Sequence, residues 1–125
     1  MRSMEDITSL FPTKIDQILQ NAALDFDRLQ EIRLRAERPL LIQYDGQEYF
    51  VSDAGALTKD RERACLVHSR EIRETMETVG RYSLYAHEEE LRQGFLTIQG
   101  GHRVGVAGKV ILDGNRIRNV KYISF

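Results

Sequence analysis

Residues 99–110, QGGHRVGVAGKV, contain four glycines, a histidine and two cations. A glycine-rich loop binds phosphate when it follows the P-loop pattern G-x-x-x-x-G-K-[ST]. Gly108-Lys109 matches the G-K pair, but Arg103 stands where the first glycine belongs and Val110 stands where the hydroxyl residue belongs. Two of the four fixed positions fail, and the following residues predict a hairpin instead of the helix that a P-loop requires.

The same segment has the pattern of a β-strand. Val104 and Val106 alternate with other residues as core-facing positions would, and the glycines permit a bend or the close approach of another backbone. A G-x-x-G pair at Gly105 and Gly108 has apolar central residues and no flanking helices, which is unlike a nucleic-acid-binding KH loop. We therefore predict a strand here and no phosphate site.

Metal and catalytic motifs are equally incomplete. The chain has one cysteine and three histidines, none at the spacing of metal ligands: Cys65, His68, His87 and His102. His87 opens a partial H-E-x-x-H zinc motif, but Leu91 replaces its second histidine. The acidic triplet Glu88, Glu89 and Glu90 is predicted to form the first turn of a helix, where carboxylates complement the helix dipole. We expect no catalytic, cofactor-binding or metal-binding residues in this chain.

The composition is that of a soluble globular chain. Its 125 residues are 42% apolar and 30% charged, and the formal net charge is −1. No apolar run approaches the roughly 18 residues that a membrane span needs, and no secretory signal is recognisable. One cysteine is typical of a reducing compartment. We expect a single domain over residues 1–125, with residues 1–3 an addition before Met4.

The periodicities predict two helices and four strands in the first part of the chain. Residues 6–24 have helical spacing, and the longer helix is predicted to begin at Pro12 or Thr13. Residues 29–37, 40–44 and 49–51 are predicted strands, the last two joined by a hairpin turn at Asp45-Gly46. Residues 52–63 are predicted to form a loop, and residues 64–67 a short strand. Ser69 is predicted to cap a helix that Gly80 ends.

The second part of the chain is predicted to contain one helix and three strands. The helix covers residues 86–93, and the strands cover 95–98, the glycine-rich segment up to 112, and 116–125. Strands joined by tight turns must be antiparallel. The pattern predicts an α+β fold, with a mostly antiparallel sheet and helices packed on one face.

Positive charge is concentrated towards the end of the chain. Residues 92–125 carry six cations and one acid, and Arg116, Arg118 and Lys121 belong to the last predicted hairpin. A basic sheet with nearby aromatics such as Tyr122 can bind single-stranded nucleic acid. The domain as a whole is not basic, so nucleic-acid binding is kept as the alternative function.

Six segments occur in a fixed order along the chain: residues 31–35 (EIRLR), 38–40 (RPL), 82–85 (YSLY), 88–94 (EEELRQG), 100–105 (GGHRVG) and 107–110 (AGKV). Together they resemble one family, the stage III sporulation protein AA family of endospore-forming bacteria. The family motif positions within them are Gly100, Gly101, His102, Arg103, Gly105, Gly108, Lys109, Glu88, Glu89 and Glu90. Ordered segments are far more specific than a single glycine motif.

The resemblance implies a function for the whole protein. The family is similar to the ATPases of type II and type IV secretion and pilus retraction, in which an N-terminal domain precedes a P-loop ATPase domain. This chain matches the N-terminal part only, so the resemblance implies a non-catalytic assembly or regulatory domain without its own cofactor. ATP and magnesium are expected only in the following ATPase domain.

The resemblance also implies partners and candidate residues. The expected partners are the chain's own ATPase domain, further copies in a hexamer, and other stage III sporulation A-operon proteins at the membrane. No nucleic acid is expected. The protein would act in the mother-cell cytoplasm at the channel to the forespore. Arg103, Arg116 and Arg118 are candidates for contacting nucleotide held by the ATPase domain.

Overall fold

The computed structural model describes residues 8–82, 95–97, 103–113 and 116–124, with side chains up to Thr78. The described helices are α1 (Thr13–Asn21) and α2 (Ser69–Tyr82), with short 3₁₀ helices at Phe26–Arg28 and Arg61–Arg63. The strands are β1 (Leu29–Arg35), β2 (Arg38–Pro39), β3 (Leu41–Tyr44), β4 (Gln47–Val51), β5 (Leu57–Thr58), β6 (Leu66–Val67), β7 (Phe95–Thr97), β8 (Arg103–Asp113) and β9 (Arg116–Ser124).

Seven strands form one antiparallel sheet in the order β5-β4-β3-β1-β9-β8-β7. Among the described strands, the last therefore lies beside the first, since β9 is paired with β1 on one side and with β8 on the other. The short strands β2 and β6 pair separately. Helices together with an antiparallel sheet confirm the predicted α+β class.

One face of β1 anchors the core. Ile32 and Leu34, two residues apart and therefore on the same face of the strand, are completely buried. They share one apolar cluster with residues of both helices: Ile15, Ile18 and Leu19 of α1, and Ile72 and Met76 of α2. Because residues of both helices belong to the same cluster as this face of β1, the helices pack on one face of the sheet, as predicted. Burial of each such side chain contributes about 1.5–3 kcal/mol.

The predicted hairpin turn between β3 and β4 is confirmed. Tyr44 pairs with Gln47, so Asp45 and Gly46 form a two-residue loop. Both have positive φ, 53° and 78°. That combination is what a type I′ turn requires, and it explains why glycine follows aspartate here.

The predicted strand at residues 40–44 is wrong at its first residue. Arg38–Pro39 pairs with β6, while β3 begins only at Leu41. Leu40 connects the two sheets, because its N–H donates to the carbonyl of Cys65 and its carbonyl accepts from the N–H of Val51. The bond with Val51 continues the β3–β4 register by one residue, while the bond with Cys65 leads to the residue before β6, so Leu40 is a junction between the two sheets.

The predicted loop at residues 52–63 contains more regular structure than its polar composition indicates. It includes β5 and the 3₁₀ helix Arg61–Arg63. The chain reaches β5 through a tight loop in which the Ala56 N–H donates to Ser52 Oγ. Pairing of Leu57 with Val51 on β4 then adds an edge strand, so tertiary pairing overrides the local turn preference here.

The helix α2 differs from its predicted end. It continues through Gly80 to Tyr82. Glycine within a helix lowers the stability of the helix by about 1 kcal/mol relative to alanine. Tertiary packing of an apolar helix face contributes more than this amount. Ile72 and Met76 supply that packing in α2.

Gly55 is the position where glycine is most strongly required. Its φ is +87°, and an added Cβ would lie 2.7 Å from Asn21 Cβ and 2.9 Å from the carbonyl oxygen of Ile18. Both neighbours belong to the last turn of α1, so the loop before β5 docks directly on that helix. A side chain at this position would be strained by its backbone and would also collide with the helix.

We predict that Gly55→Ala destabilises the protein by at least about 1 kcal/mol more than Gly46→Ala, because overpacking is added to backbone strain. Gly46 is a matched control, since it has a similar φ of +78° with no atom within 4 Å of the added Cβ. The free energies of unfolding of the two variants, from urea titration, test this. Equal values would mean that contact with α1 does not determine the need for glycine at residue 55.

Candidate functional site

The outer side of β1 carries an ordered cluster of charges. Arg33 Nε lies 2.8 Å from Glu31 Oε1 and Arg33 Nη2 lies 3.2 Å from Glu31 Oε2, which is a bidentate pair. Arg33 Nη1 also lies 3.2 Å from Glu48 Oε1 on β4. Ion pairs this accessible contribute only about 0–1 kcal/mol each, so the cluster orders a surface more than it stabilises the fold.

The turn after β1 attaches the sheet to the second helix. Glu37 has a φ of 59°. Its N–H donates to the carbonyl of Val67 at 2.7 Å. Its carboxylate accepts from the Ser69 N–H at 3.1 Å and lies 3.2 Å from His68 Nδ1. The hydrogen bond from the Ser69 backbone, followed by the bond with His68, lowers the pKa of Glu37.

Glu71 completes the start of the same helix. Its Oε1 accepts from the His68 N–H at 2.9 Å, while the His68 carbonyl accepts the first helical bond, from the Ile72 N–H. His68 is therefore the N-cap residue, and the N3 residue Glu71 makes one half of a capping box, the bond from its carboxylate to the N-cap N–H. The prediction that Ser69 caps the helix is wrong by one residue, because Glu37 from another part of the chain occupies the Ser69 N–H.

Glu71 is the buried charge of this cluster. Its side chain is 4% exposed, and Lys14 Nζ on α1 lies 3.8 Å from Oε1. Its other oxygen is buried without a hydrogen-bond partner within the described residues. The pair links the first turns of the two helices, and loss of Lys14 would leave a buried carboxylate without a countercharge.

The environment of Cys65 disfavours the reactive thiolate form. Its side chain is completely buried. Desolvation raises the pKa of the thiol to about 11. The thiol stays protonated at neutral pH, whereas a nucleophilic cysteine needs an exposed thiolate.

A second charged group lies at the other end of β1. Arg28 Nη2 lies 2.6 Å from Asp45 Oδ2, and the Asp45 N–H donates to the Arg28 carbonyl. The hydrogen bond between the two side chains raises the pKa of Arg28 and lowers the pKa of Asp45. The Tyr44 hydroxyl accepts from the Asp25 N–H at 3.0 Å. These bonds join the β3–β4 turn to the 3₁₀ helix before β1.

Within the residues that the structure describes, no three His, Cys, Asp or Glu side chains are grouped as a metal site. None of the helices in that part of the chain is long and apolar enough to cross a membrane. The groups described here hold elements together through fixed charges and hydrogen bonds, which is the chemistry of a positioning or docking surface.

Comparison with known proteins identifies the family. The family model described as sporulation stage III, protein AA, matches residues 1–125. The chain belongs to this family. The stage III sporulation protein AA of Bacillus subtilis (strain 168) is 33% identical over 122 residues, which are 97% of this chain and 36% of that relative. The chain thus spans about a third of the length of this relative. No solved structure matches the chain.

The glycine-rich segment that resembles the family motif is largely a strand. Gly105, Gly108 and Lys109 lie within β8, which pairs with β7 and β9. The register against β9 shifts between Ala107 and Gly108 and again between Gly108 and Ile111. Irregular pairing at glycine agrees with the predicted bend.

The three candidate arginines do not come together. Arg103 begins β8, while Arg116 begins β9 and pairs with Asp113 at the other end of β8. Arg118 pairs with Ile111 near the same end. At about 3.3 Å per residue the two ends are about 30 Å apart, so one nucleotide is not expected to contact both.

The remaining family motif positions lie outside the described residues. They are Gly100, Gly101, His102, Glu88, Glu89 and Glu90. The predicted helix at residues 86–93 lies there as well, and the role of these positions stays a prediction.

Sequence reasoning missed Glu37 and Glu71, which organise the start of α2. Glu71 had a local signal, because it follows the true N-cap residue by three positions. The more obvious capping residue, Ser69, obscured that signal. Glu37 had none, since its contacts depend on a turn 31 residues away from His68.

We predict that Glu37→Gln lowers the Tm at pH 7, because it removes a negative charge from the N-terminus of α2 while keeping an acceptor for the Ser69 N–H. A carboxyl group with a lowered pKa stabilises the fold above its unfolded pKa, about 4.3 for glutamate. This stabilisation is lost as the pH falls through the folded-state pKa. The Tm difference from wild type should therefore shrink between pH 7 and pH 3 in thermal melts followed by circular dichroism.

Glu62→Gln is the matched control for this prediction. The Glu62 side chain is exposed and forms no hydrogen bond or ion pair within the described part of the chain. The Tm of the Glu62→Gln variant should therefore match that of wild type. A Tm difference for Glu37→Gln that is the same at both ends of the pH range would show that charge at the helix start is not the cause.

Proposed function

We propose that this chain is a non-catalytic assembly and regulatory domain of a sporulation-specific, secretion-type ATPase. The whole protein would energise the channel that links the mother cell to the forespore. ATP and magnesium would bind in a P-loop domain that follows this chain in the whole protein.

The backbone of the glycine-rich segment carries the non-catalytic part of the proposal. β8 pairs with β7 from Arg103 to Gly105 and with β9 from Gly105 to Asp113. A P-loop binds phosphate with backbone N–H groups that are free of such pairing and that precede a helix. Gly108 pairs with Val120 of β9, and Lys109 continues the same strand with no helix after it, so the one partial nucleotide motif of the sequence has the wrong local structure for that task.

Family membership and chain length support the rest. The chain covers 36% of its Bacillus subtilis relative, which leaves room in such a protein for a further domain of ordinary size. The groups that the structure orders, such as the Arg33 cluster and the buried Glu71–Lys14 pair, position elements and offer no nucleophile or acid–base pair. A domain of this kind acts through the contacts it makes.

The proposed partners follow from this role. They are the chain's own ATPase domain, further copies in a hexameric ring, and other stage III sporulation A-operon proteins at the membrane. The proposed location is the mother-cell cytoplasm, next to the membrane complex.

We expect ATP hydrolysis only from a protein that extends beyond this chain into the following domain. Phosphate release should be measured for the 125-residue chain and for the longer protein at equal concentration. Turnover by the chain alone would overturn the non-catalytic assignment. Binding of the chain to single-stranded nucleic acid that weakens steeply with salt would instead favour the alternative function.

We further predict that Arg103→Ala lowers kcat of the longer protein at least about tenfold, because an arginine that contacts the transferring phosphate contributes 10³-fold or more in related chemistry. Arg118→Ala is the matched comparison, since the opposite end of β8 places it out of reach of the same nucleotide. Steady-state hydrolysis and circular dichroism of both variants test the assignment. If both folded variants turn over as wild type, neither end of β8 contacts nucleotide.

A further inference from the structure

We propose that the Glu71 carboxylate couples two parts of the fold, so that the docking of α1 and the closure of the first turn of α2 depend on each other. While Lys14 of α1 lies beside Glu71, the first turn of α2 stays closed. When α1 moves away, that turn opens. This conformational coupling is independent of the proposed ATPase function.

One oxygen of Glu71 serves both helices. Glu71 Oε1 accepts the His68 N–H at 2.9 Å, which is the bond that closes the start of α2. Lys14 Nζ, in the first turn of α1, lies 3.8 Å from the same oxygen. Glu71 Oε2 is buried and has no hydrogen-bond partner among the described residues. The carboxylate therefore has no further contact there that could compensate for the loss of either partner.

Lys14 is the countercharge that allows a buried Glu71 to remain ionised. The Glu71 side chain is 4% exposed, and among the described residues no other cation pairs with it. The ring of His68 faces Glu37 instead. A buried charge without a partner is strongly unfavourable. Once Lys14 leaves, the carboxylate turns towards water or takes up a proton. The first event breaks the bond from the His68 N–H, and the second replaces a charge-assisted bond with a weaker neutral one.

The helix α1 is suited to such a movement. It has nine residues, fewer than the roughly 12–15 at which an isolated helix becomes marginally stable in water. Pro12 precedes it and supplies no side-chain hydrogen bond to its first turn. Among the described residues, α1 is attached through three buried apolar side chains, the Lys14–Glu71 pair and the contact of its last turn with Gly55. Elements with so few attachments open locally at a low free-energy cost.

The helix α2 transmits the change to the sheet. Its Ile72 shares the apolar cluster with β1, and the Ile72 N–H donates to the carbonyl of His68. The Ser69 N–H donates to Glu37 in the turn that follows β1. Opening of the first turn therefore loosens the attachment of α2 to that turn. Because linkage is reciprocal, a contact that fixes the start of α2 also favours docking of α1.

Hydrogen exchange of the 125-residue chain, measured residue by residue by NMR, tests the coupling. Lys14→Met removes the charge and keeps an unbranched apolar side chain. The protection factors of the Leu19 and Ile72 amides, one in each helix, should both fall about tenfold or more, as is typical of coupled sites. Leu34 and Ile42, at paired positions in the centre of the sheet, should keep theirs. Unchanged protection of Ile72, or an equal loss at all four amides, would overturn the proposal.

The Glu71→Gln variant separates coupling through charge from loss of packing. Its side-chain amide oxygen still accepts the His68 N–H, but it needs no countercharge. Lys14→Met added to Glu71→Gln should therefore change the protection of Ile72 by less than about threefold, since the two substitutions remove the same interaction. If the double variant instead loses as much protection at Ile72 as Lys14→Met alone, the effect does not pass through the Glu71 carboxylate and the proposal is wrong.

Two variants serve as controls for charge. Lys14→Arg keeps the cation beside Glu71 and should leave the protection of Ile72 as in wild type. Lys59→Met removes an exposed cation that lies over the Tyr49 ring, and it should also leave the protection of Ile72 unchanged. A loss of protection in either control that equals the loss in Lys14→Met would mean that the positive charge beside Glu71 is not the cause, and the coupling would be refuted.

Discussion

The pairing of β1 with β9 is the contact on which the rest of the structure depends. The pairing connects two strands that are far apart in the sequence. The paired residues are Arg33 and Ser124, Leu34 and Ile123, and Arg35 and Tyr122. The same β1 buries Ile32 and Leu34 against both helices. One strand thus provides hydrogen bonds on both of its edges, a core contact on one face and a charged cluster on the other. Without this pairing, the β8–β9 hairpin would have no attachment to β1 in the seven-stranded sheet.

The turn that follows β1 determines where the second helix begins. Glu37 adopts a left-handed backbone conformation that glutamate rarely takes, and its N–H and carboxylate bind Val67 and Ser69. The strain is offset because donors at the start of α2 need partners that the helix itself cannot supply. The sheet and the helix are therefore positioned by shared polar contacts at their ends as well as by the apolar core between them.

The family assignment and the ordered polar contacts are the observations behind the proposed assembly role. The relative is nearly three times as long as the part this chain covers, and the ordered polar groups described here serve to hold elements and surfaces in place. In the proposed function, ATP hydrolysis belongs to a part of the whole protein outside this chain.

The sequence by itself determined the local elements and the family. Helical spacing in α1, alternation in β1 and β8, and the Asp45-Gly46 turn were all readable, because each depends on neighbours within a few residues. The ordered motif segments were enough to name the family that the comparisons confirm. The partial P-loop could also be rejected from local residues, and that segment is a strand in the structure.

The tertiary structure alone decided how these elements are connected. The position of β9 between β1 and β8, the junction at Leu40 between the two sheets, and the edge strand β5 all depend on pairing between distant residues. Glu37, rather than Ser69, supplies the acceptor at the first residue of α2 for the same reason. Local sequence patterns contain no information on contacts that chain folding creates across tens of residues.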